Sequence, residues 1–426
     1  MENNHLKRNL GLWPTTLSGV GIILGAGIYV IIGAATQDAG SAVWISFLLA
    51  ALIAGLTGLS YAELSSIFPD AGASPIYVQH AFGDRAGFLL GWLRLIVSVV
   101  AMAAVAIGFS GYFGYFFEVS PQLVSISVIA VSCVIVLIGV RETVAMAIVM
   151  TLLEAGGLIF IVIFGLPEIG TRSLAEMPYG WIGLISGASL IFFAFEGFEQ
   201  IATLSEETHN PTRNIPKAIL IAIGITAVLY VAVAITSTSI LDWTLLAESD
   251  SPLSDVARAV SGPSAANILA IIALFATFNT VLMMLATAAR RAYGMAGSGM
   301  LPPLFRRLLP GASTPWVAAV VLSILASVVV FMGDIRFAAE AANYSVFFSY
   351  LVINGAVVYL RFKSPHLDRP FVIPLKVGPV PILPVLSSAG ILLLALFGDI
   401  HSMLFILIAL LVGLIVSVWA IKPHTS

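Results

Sequence analysis

The chain has 426 residues, 59% of them hydrophobic and only 10% charged, with a mean hydropathy of +1.05. A soluble domain carries about 25% charged residues on its surface, so this composition excludes a soluble protein and predicts an all-α polytopic membrane protein built of repeated apolar runs. A net charge of −3 gives no footprint for nucleic acid, and the single cysteine, Cys133, excludes an intrachain disulfide and argues against a metal cluster.

The N-terminus, MENNHLKRNLGLWP, is short and basic and runs into an apolar stretch without a small-residue cleavage site, which predicts an uncleaved first span. About twelve spans are predicted: Pro14–Ala35, Ala42–Ile67, Gly87–Phe117, Gln122–Val140, Glu142–Leu166, Gly180–Leu204, Pro216–Ile240, Ala265–Tyr293, Pro315–Met332, Phe337–Leu360, Val380–Phe397 and Ser402–Ile421. Several exceed the roughly 20 residues needed to cross the hydrocarbon, so tilt is expected. No polar segment is long enough to enclose a core of its own. Three connections are longer than the rest. Phe68–Ala86 predicts an amphipathic re-entry, and Leu241–Ser264 is acidic, with Ser251-Pro252 as cap and first turn of a short helix. The third, Pro365–Pro381, is proline-rich and marks a break before the last two spans.

Lys and Arg set the orientation. Of the 19, fifteen fall on the side of the N-terminus, among them Lys7, Arg8, Arg141, Arg290, Arg291, Lys363 and Lys422. Only Arg172, Arg258 and Arg336 fall on the other side, and Arg94 lies inside a span. This positive-inside bias predicts that both termini are cytoplasmic.

Two spans are predicted to be interrupted. The first carries Gly25-Ala26-Gly27 about halfway across; the sixth carries FAFEGFE, Phe193–Glu199, at the matching depth. An acidic residue at a helix centre costs roughly 2.5–3.5 kcal/mol on insertion scales, so Glu196 and Glu199 are functional candidates by default. Five spans separate the two clusters, which is the spacing that two five-helix halves of inverted topology produce. An unwound turn releases backbone groups that lipid cannot satisfy. N–H groups at Gly25-Ala26-Gly27, opening a half-helix, can receive a carboxylate. Carbonyls at Ile23 and around Phe193–Glu196 can accept an ammonium. An anion hole beside a cation hole fits a zwitterion.

GVGIILGAGIY in the first span, SYAELSSIFPDAGASPIY after the second, FFAFEGFEQIATLSEETHNPTRNIPKAI in the sixth and YGMAGSGMLP after the eighth resemble the amino acid–polyamine–organocation (APC) superfamily of permeases, most of all the prokaryotic members similar to cationic amino acid transporters. The likeness runs through most of Gly11–Pro303, and the sixth-span motif is its most specific part. It implies a LeuT-like core of five plus five helices with two peripheral ones, divided as residues 1–166, 167–362 and 363–426, and alternating access for amino acids or amines. By position it implies that Ile23, Gly25, Ala26 and Gly27 take the substrate head, that Phe193 is an aromatic gate, and that Ala194, Glu196 and Gly197 form the ammonium site. Three departures stand out. Glu154 occupies a fifth-span position where related cationic transporters often carry a lysine in place of a sodium ion. Gly297-Ser298 replaces the usual Arg-Asp pair, and Glu196 replaces an aliphatic residue.

Glu154 lies about 13 residues, roughly 20 Å at 1.5 Å per residue, into its helix. There it is a proton carrier, a sodium ligand or a protonated structural acid. Glu199 matches a family position linked to proton coupling and is equally open to structural pairing. Glu196 either reaches the pocket, favouring a cationic substrate, or stabilises the break. Glu63 and Glu340 are expected at the two interfaces, and Arg94 can snorkel, with a functional role inside the span as the alternative. His209, Glu206 and Glu207 read as a solvated, capped turn. Asn279, Thr280 and Asn343 either line the path or make helix-packing hydrogen bonds.

The expected function is secondary active transport of an amino acid or related amine, driven by protons, with no cofactor or metal. Exchange, polyamine transport, sodium coupling and a transport-inactive sensor are the alternatives. A channel would need selectivity rings, no nucleotide-binding G-x-x-x-x-G-K-[ST] is present, and no nucleophile or His-rich constellation speaks for an enzyme. The expected partners are the substrate, protons or Na⁺ and the bilayer of the plasma membrane, with the chain a monomer or homodimer.

Overall fold

The computed structural model describes residues 10–69, 73–138, 143–297, 300–309, 314–332 and 335–420; Lys7, Arg8, Arg141, Ser298 and Lys422 lie outside them. The described chain is a bundle of α-helices, as its apolar composition requires, because in lipid a helix satisfies its own backbone. In order these are α1 (Leu12–Leu24), α2 (Gly27–Ala39), α3 (Val43–Ile67), α4 (Ala73–Phe82), α5 (Asp84–Gly114), α6 (Pro121–Ile138), α7 (Thr143–Gly165), α8 (Gly180–Ile191), α9 (Pro211–Ile240), α10 (Trp243–Glu248), α11 (Pro252–Gly297), α12 (Trp316–Met332), α13 (Ile335–Lys363), α14 (Ile382–Phe397) and α15 (Ile400–Ala420). Among the described residues, nine helical stretches are long and apolar enough to cross a membrane, and Leu12–Leu24, Trp316–Phe331 and Ile382–Phe397 are shorter apolar helices.

Burial separates interior from periphery. In its most apolar window α5 has 78% of its residues buried, against 22% for α15. Helix α5 packs on α11 and α13, α3 packs on α9, and α2 packs on α8. The outward residues of α15, such as Leu407, Ile408 and Leu411, are exposed apolar side chains suited to lipid.

Helix boundaries differ from the sequence reading where local chemistry intervenes. Helix α9 starts at Pro211, five residues before the expected Pro216, because Asn210 turns through a left-handed conformation (φ 47°, ψ 57°) and Pro211 suits a first helical turn. Helix α11 begins with the short helix foreseen at Ser251-Pro252 and kinks at Gly262 (φ 81°), followed by Pro263, before the long span. Helix α10 was not foreseen. Its cap is Asp242, whose carboxylate accepts from the Thr244 hydroxyl (2.7 Å) and N–H (3.0 Å); these bonds hold that carboxyl below its ordinary pKa range. In the proline-rich connection, Lys376–Val377 (β1) and Val380–Pro381 (β2) form a two-stranded antiparallel hairpin. Helix α4 lies against α5 and α13, with Tyr77 and Val78 buried.

Candidate functional site

Two of the spans are interrupted, and the interruptions touch. Helix α1 stops where Gly25 leaves helical geometry (φ −26°, ψ −161°), and α2 opens at Gly27 with Ala26 between them. On the other chain segment α8 tightens into a 3-10 turn over Phe192–Phe195. Glu196 is extended (φ −63°, ψ 144°), Gly197 is left-handed (φ 111°), and a second 3-10 run covers Phe198–Glu206. A Cβ on Gly27 would sit 2.7 Å from the Ala194 Cα, and one on Gly197 would sit 3.0 Å from Ile22 Cγ2. Glycine at both places therefore lets the two breaks cross with backbone against backbone.

Several of the released backbone groups have partners. The Ile23 carbonyl accepts from the Tyr230 hydroxyl of α9 (2.9 Å), and the Phe193 carbonyl accepts from the Glu196 N–H (3.3 Å). The Ala26 N–H donates to Thr280 Oγ1 of α11 at 3.2 Å. Asn343 of α13 donates through Nδ2 to the Ser189 (2.7 Å) and Leu190 (3.2 Å) carbonyls, holding the end of α8. Ile23, Ala26, Gly27, Phe193 and Ala194 are buried. The Glu196 residue is half-buried, and its Oε2 is enclosed without a hydrogen-bond partner among the described residues.

Glu154 reaches the same region from α7. The Tyr29 hydroxyl donates to its carbonyl (2.7 Å). Its Oε1 is buried and has no partner among the described residues, which leaves that atom to a proton, an ion or water.

Glu199 is fully engaged. Its Oε1 accepts from Arg94 Nη1 of α5 (2.7 Å), and its Oε2 accepts from the Tyr350 hydroxyl (2.8 Å) and the Gly197 N–H (3.1 Å). Arg94 Nη2 also reaches the Tyr61 hydroxyl (3.2 Å), and Arg291 donates to the Arg94 carbonyl (2.9 Å) and to Ser98 (3.2 Å). Tyr61, Phe198 and Tyr350 close around the pair with ring centroids 5.3–5.7 Å apart. Arg94 therefore does not snorkel: its side chain is 7% exposed and turned inward to Glu199. Arg291, counted among the cations at the cytoplasmic surface, also points inward, to the Arg94 carbonyl and Ser98.

Glu63 and Glu340 are corrected as well, since neither faces an interface. Glu63 is buried and bound by Arg361 (Nε 3.0 Å, Nη2 2.5 Å) and the Ile373 N–H (2.9 Å), with Arg369 3.6 Å away. This clamp fastens the proline-rich connection to the face at which α1 begins. On the opposite face Arg336 pairs with Glu340 (3.0 Å) and with Asp38, which also accepts from Ser186 (2.8 Å), and Glu340 accepts the Asp399 N–H. That network joins α2, α8, α13 and the turn before α15. At the first face Leu10 bridges Thr208, through Leu10 N–H to the Glu207 carbonyl (3.0 Å) and His209 N–H to the Leu10 carbonyl (2.8 Å). The turn is solvated only in part and is not capped as expected: His209 is exposed, Glu207 is half-buried, Thr208 is buried, and Asn210 makes no side-chain cap bond to α9. Among the described residues no group of three or more His, Cys, Asp or Glu is placed to hold a metal ion.

Comparison with known proteins gives a consistent result. A family model described as amino acid permease matches residues 10–420. The chain is 29% identical to a branched-chain amino acid permease of Bacillus subtilis, over 99% of this chain and 94% of that protein. It is 30% identical to a methylthioribose transporter of the same organism, over 92% of this chain and 88% of that protein. It is also 29% identical to cationic amino acid transporter 4 of Mus musculus, over 86% of this chain and 62% of that protein.

Proposed function

The chain belongs to the amino acid permease family of the APC superfamily, and we propose from that premise that it moves an amino acid across the plasma membrane by proton-coupled alternating access. The observation that carries the reading is the crossing of the two breaks, Gly27 against Ala194 and Gly197 against Ile22. In this reading twelve spans form a five-plus-five inverted-repeat core, residues 1–166 and 167–362, with residues 363–426 peripheral and both termini cytoplasmic. Gly25, Ala26 and Gly27 open α2 with its positive dipole end and take the substrate carboxylate. The Ile23 carbonyl keeps a second lone pair beside its Tyr230 bond, and with Ala194, Glu196 and Gly197 it takes the ammonium. Phe193, buried beside them, closes over the substrate.

Transport then requires the ionic networks on the two faces to open in turn. Arg94–Glu199 with Tyr61 and Tyr350 closes the first face; Asp38–Arg336–Glu340 closes the second. Glu154 carries the proton. Its buried Oε1 beside the first break, without a partner among the described residues, supports that role, whereas the complete set of partners on Glu199 favours gating over proton carriage. Glu154→Gln is expected to keep substrate binding and lose the dependence of uptake on a proton gradient. Unchanged pH-driven accumulation in that variant removes Glu154 from the coupling path.

A second reading has a specific basis. One relative is a methylthioribose transporter, and in this chain the Ala26 N–H and the Ile23 carbonyl both have internal partners. A neutral solute without an amino acid head would leave those bonds in place. Competition by amino acids against uptake of a labelled thiosugar separates the two.

A further inference from the structure

The group best placed to receive a carboxylate in the first break, the Ala26 N–H, is held by the hydroxyl of Thr280 at 3.2 Å, from a helix 254 positions further along the chain. That hydroxyl donates its own proton to the Ala276 carbonyl one turn earlier (2.9 Å), so it meets Ala26 with a lone pair. The approach depends on the neighbouring glycine: a Cβ on Gly25 would stand 3.2 Å from the same oxygen. An oxygen accepting at the N-terminal turn of a helix has the polarity of an N-cap, which is also the polarity of a bound carboxylate.

We propose that Thr280 is a placeholder ligand, capping the Ala26 N–H while the site is empty and giving it up to the substrate carboxylate, so that Thr280 sets affinity without itself holding substrate. The inference rests on the reading of Gly25–Gly27 as the head-group site. A buried N–H without a partner is costly, and the threonine removes that cost from the empty, closed protein. A bond from N–H to a carboxylate is charge-assisted and stronger than one to a neutral hydroxyl, so the exchange runs toward the loaded state. Thr280 lies on the long span of α11 beyond its Gly262 kink, and its hydroxyl can withdraw while keeping its bond to Ala276. The cap thereby lowers substrate affinity and speeds release.

The test uses the purified full chain. The twenty L-amino acids are screened by ligand-induced thermal stabilisation, and the strongest stabiliser is compared with its decarboxylated amine in wild type, Thr280→Val and Thr280→Ser. Valine keeps the shape and removes the acceptor. It is expected to tighten binding of the amino acid by roughly threefold to tenfold, the range for removal of one competing neutral hydrogen bond. It should also lower the Tm of the empty protein, reduce the maximal uptake rate together with KM, and leave amine binding unchanged. Serine should behave as wild type. If valine weakens amino acid binding, Thr280 is a direct ligand; if it changes nothing, the bond is only helix packing; either result overturns the proposal. If no amino acid stabilises the wild-type chain, or the amine binds as tightly as the amino acid, the head-group reading itself fails. Should the valine variant not fold, Thr280→Ala carries the same comparison.

Discussion

At Gly197 the backbone passes through φ 111° with Ile22 directly against it. A side chain there is strained twice, by conformation and by contact. Gly197→Ala is expected to cost about 1–3 kcal/mol of stability and to depress uptake, read as a lower Tm in detergent and a lower initial rate. An unchanged Tm would mean that the turn is not held as tightly as the crossing of the breaks requires. Two residues on, the Arg94–Glu199 pair is nearly dry, with side chains 7% and 5% exposed. Glu199→Ala strands the guanidinium and should destabilise by about 3–5 kcal/mol, whereas Arg94→Met combined with Glu199→Leu should recover most of the loss. A double variant as unstable as the single one would show that the pair is not the unit. Glu199 stood out in the sequence because an acid inside an apolar run demands an explanation. Arg94 was misjudged because a long cationic side chain two turns into a helix has a cheap alternative at the interface, and its partner lies 105 residues away. The same distance problem hid Arg361, which meets Glu63 from 298 positions along the chain.

At the scale of elements, the interruptions were legible because a glycine cluster and a glycine flanked by carboxylates stand at matching depths of two spans, whereas the scattered glycines of α5 leave that helix intact. Their detailed form was not. The two 3-10 stretches flanking Gly197 follow from how Phe192–Phe195 and Phe198–Glu206 pack on α1, α3 and α9, which no local pattern encodes. Nor did sequence reveal the strap in which Leu10 bridges Thr208 while Thr15 and Thr208 hydroxyls stand 3.3 Å apart. The strap and the packing of α1 on the 198–206 segment tie the two together at the first face. A disulfide formed in Thr15→Cys/Thr208→Cys should therefore leave transport largely intact; abolished transport, restored by reductant, would mean that the two segments separate during the cycle. The native Cys133 is buried and offers little background. At the same face, Glu63→Ala removes the acceptor for Arg361 and the Ile373 N–H. It should open the 364–381 connection to limited proteolysis at a rate well above wild type. Equal rates would show that the hairpin holds the connection without the clamp.

Over the whole molecule, composition alone decided the class, and charge bias gave an orientation in which the more basic face is the one holding α1's start. The interior position of α5 and the outlying position of α15 could not be read from hydropathy, because a lipid-facing helix and a helix-facing helix are equally apolar. What the assembled bundle adds is an arrangement. The crossed breaks lie between two ionic networks, the nearly dry Arg94–Glu199 pair and the part-buried Asp38–Arg336–Glu340 cluster, with Glu154 at the side of the first break and one of its carboxylate oxygens unpartnered among the described residues. The central claim is that this arrangement couples amino acid movement to protons. The most direct measurement is uptake of labelled amino acids into proteoliposomes of the purified chain, under an inward proton gradient and in the absence of sodium. The account predicts accumulation above equilibrium that a protonophore abolishes and sodium does not change. Accumulation that requires sodium, or uptake that ignores the proton gradient altogether, would contradict it.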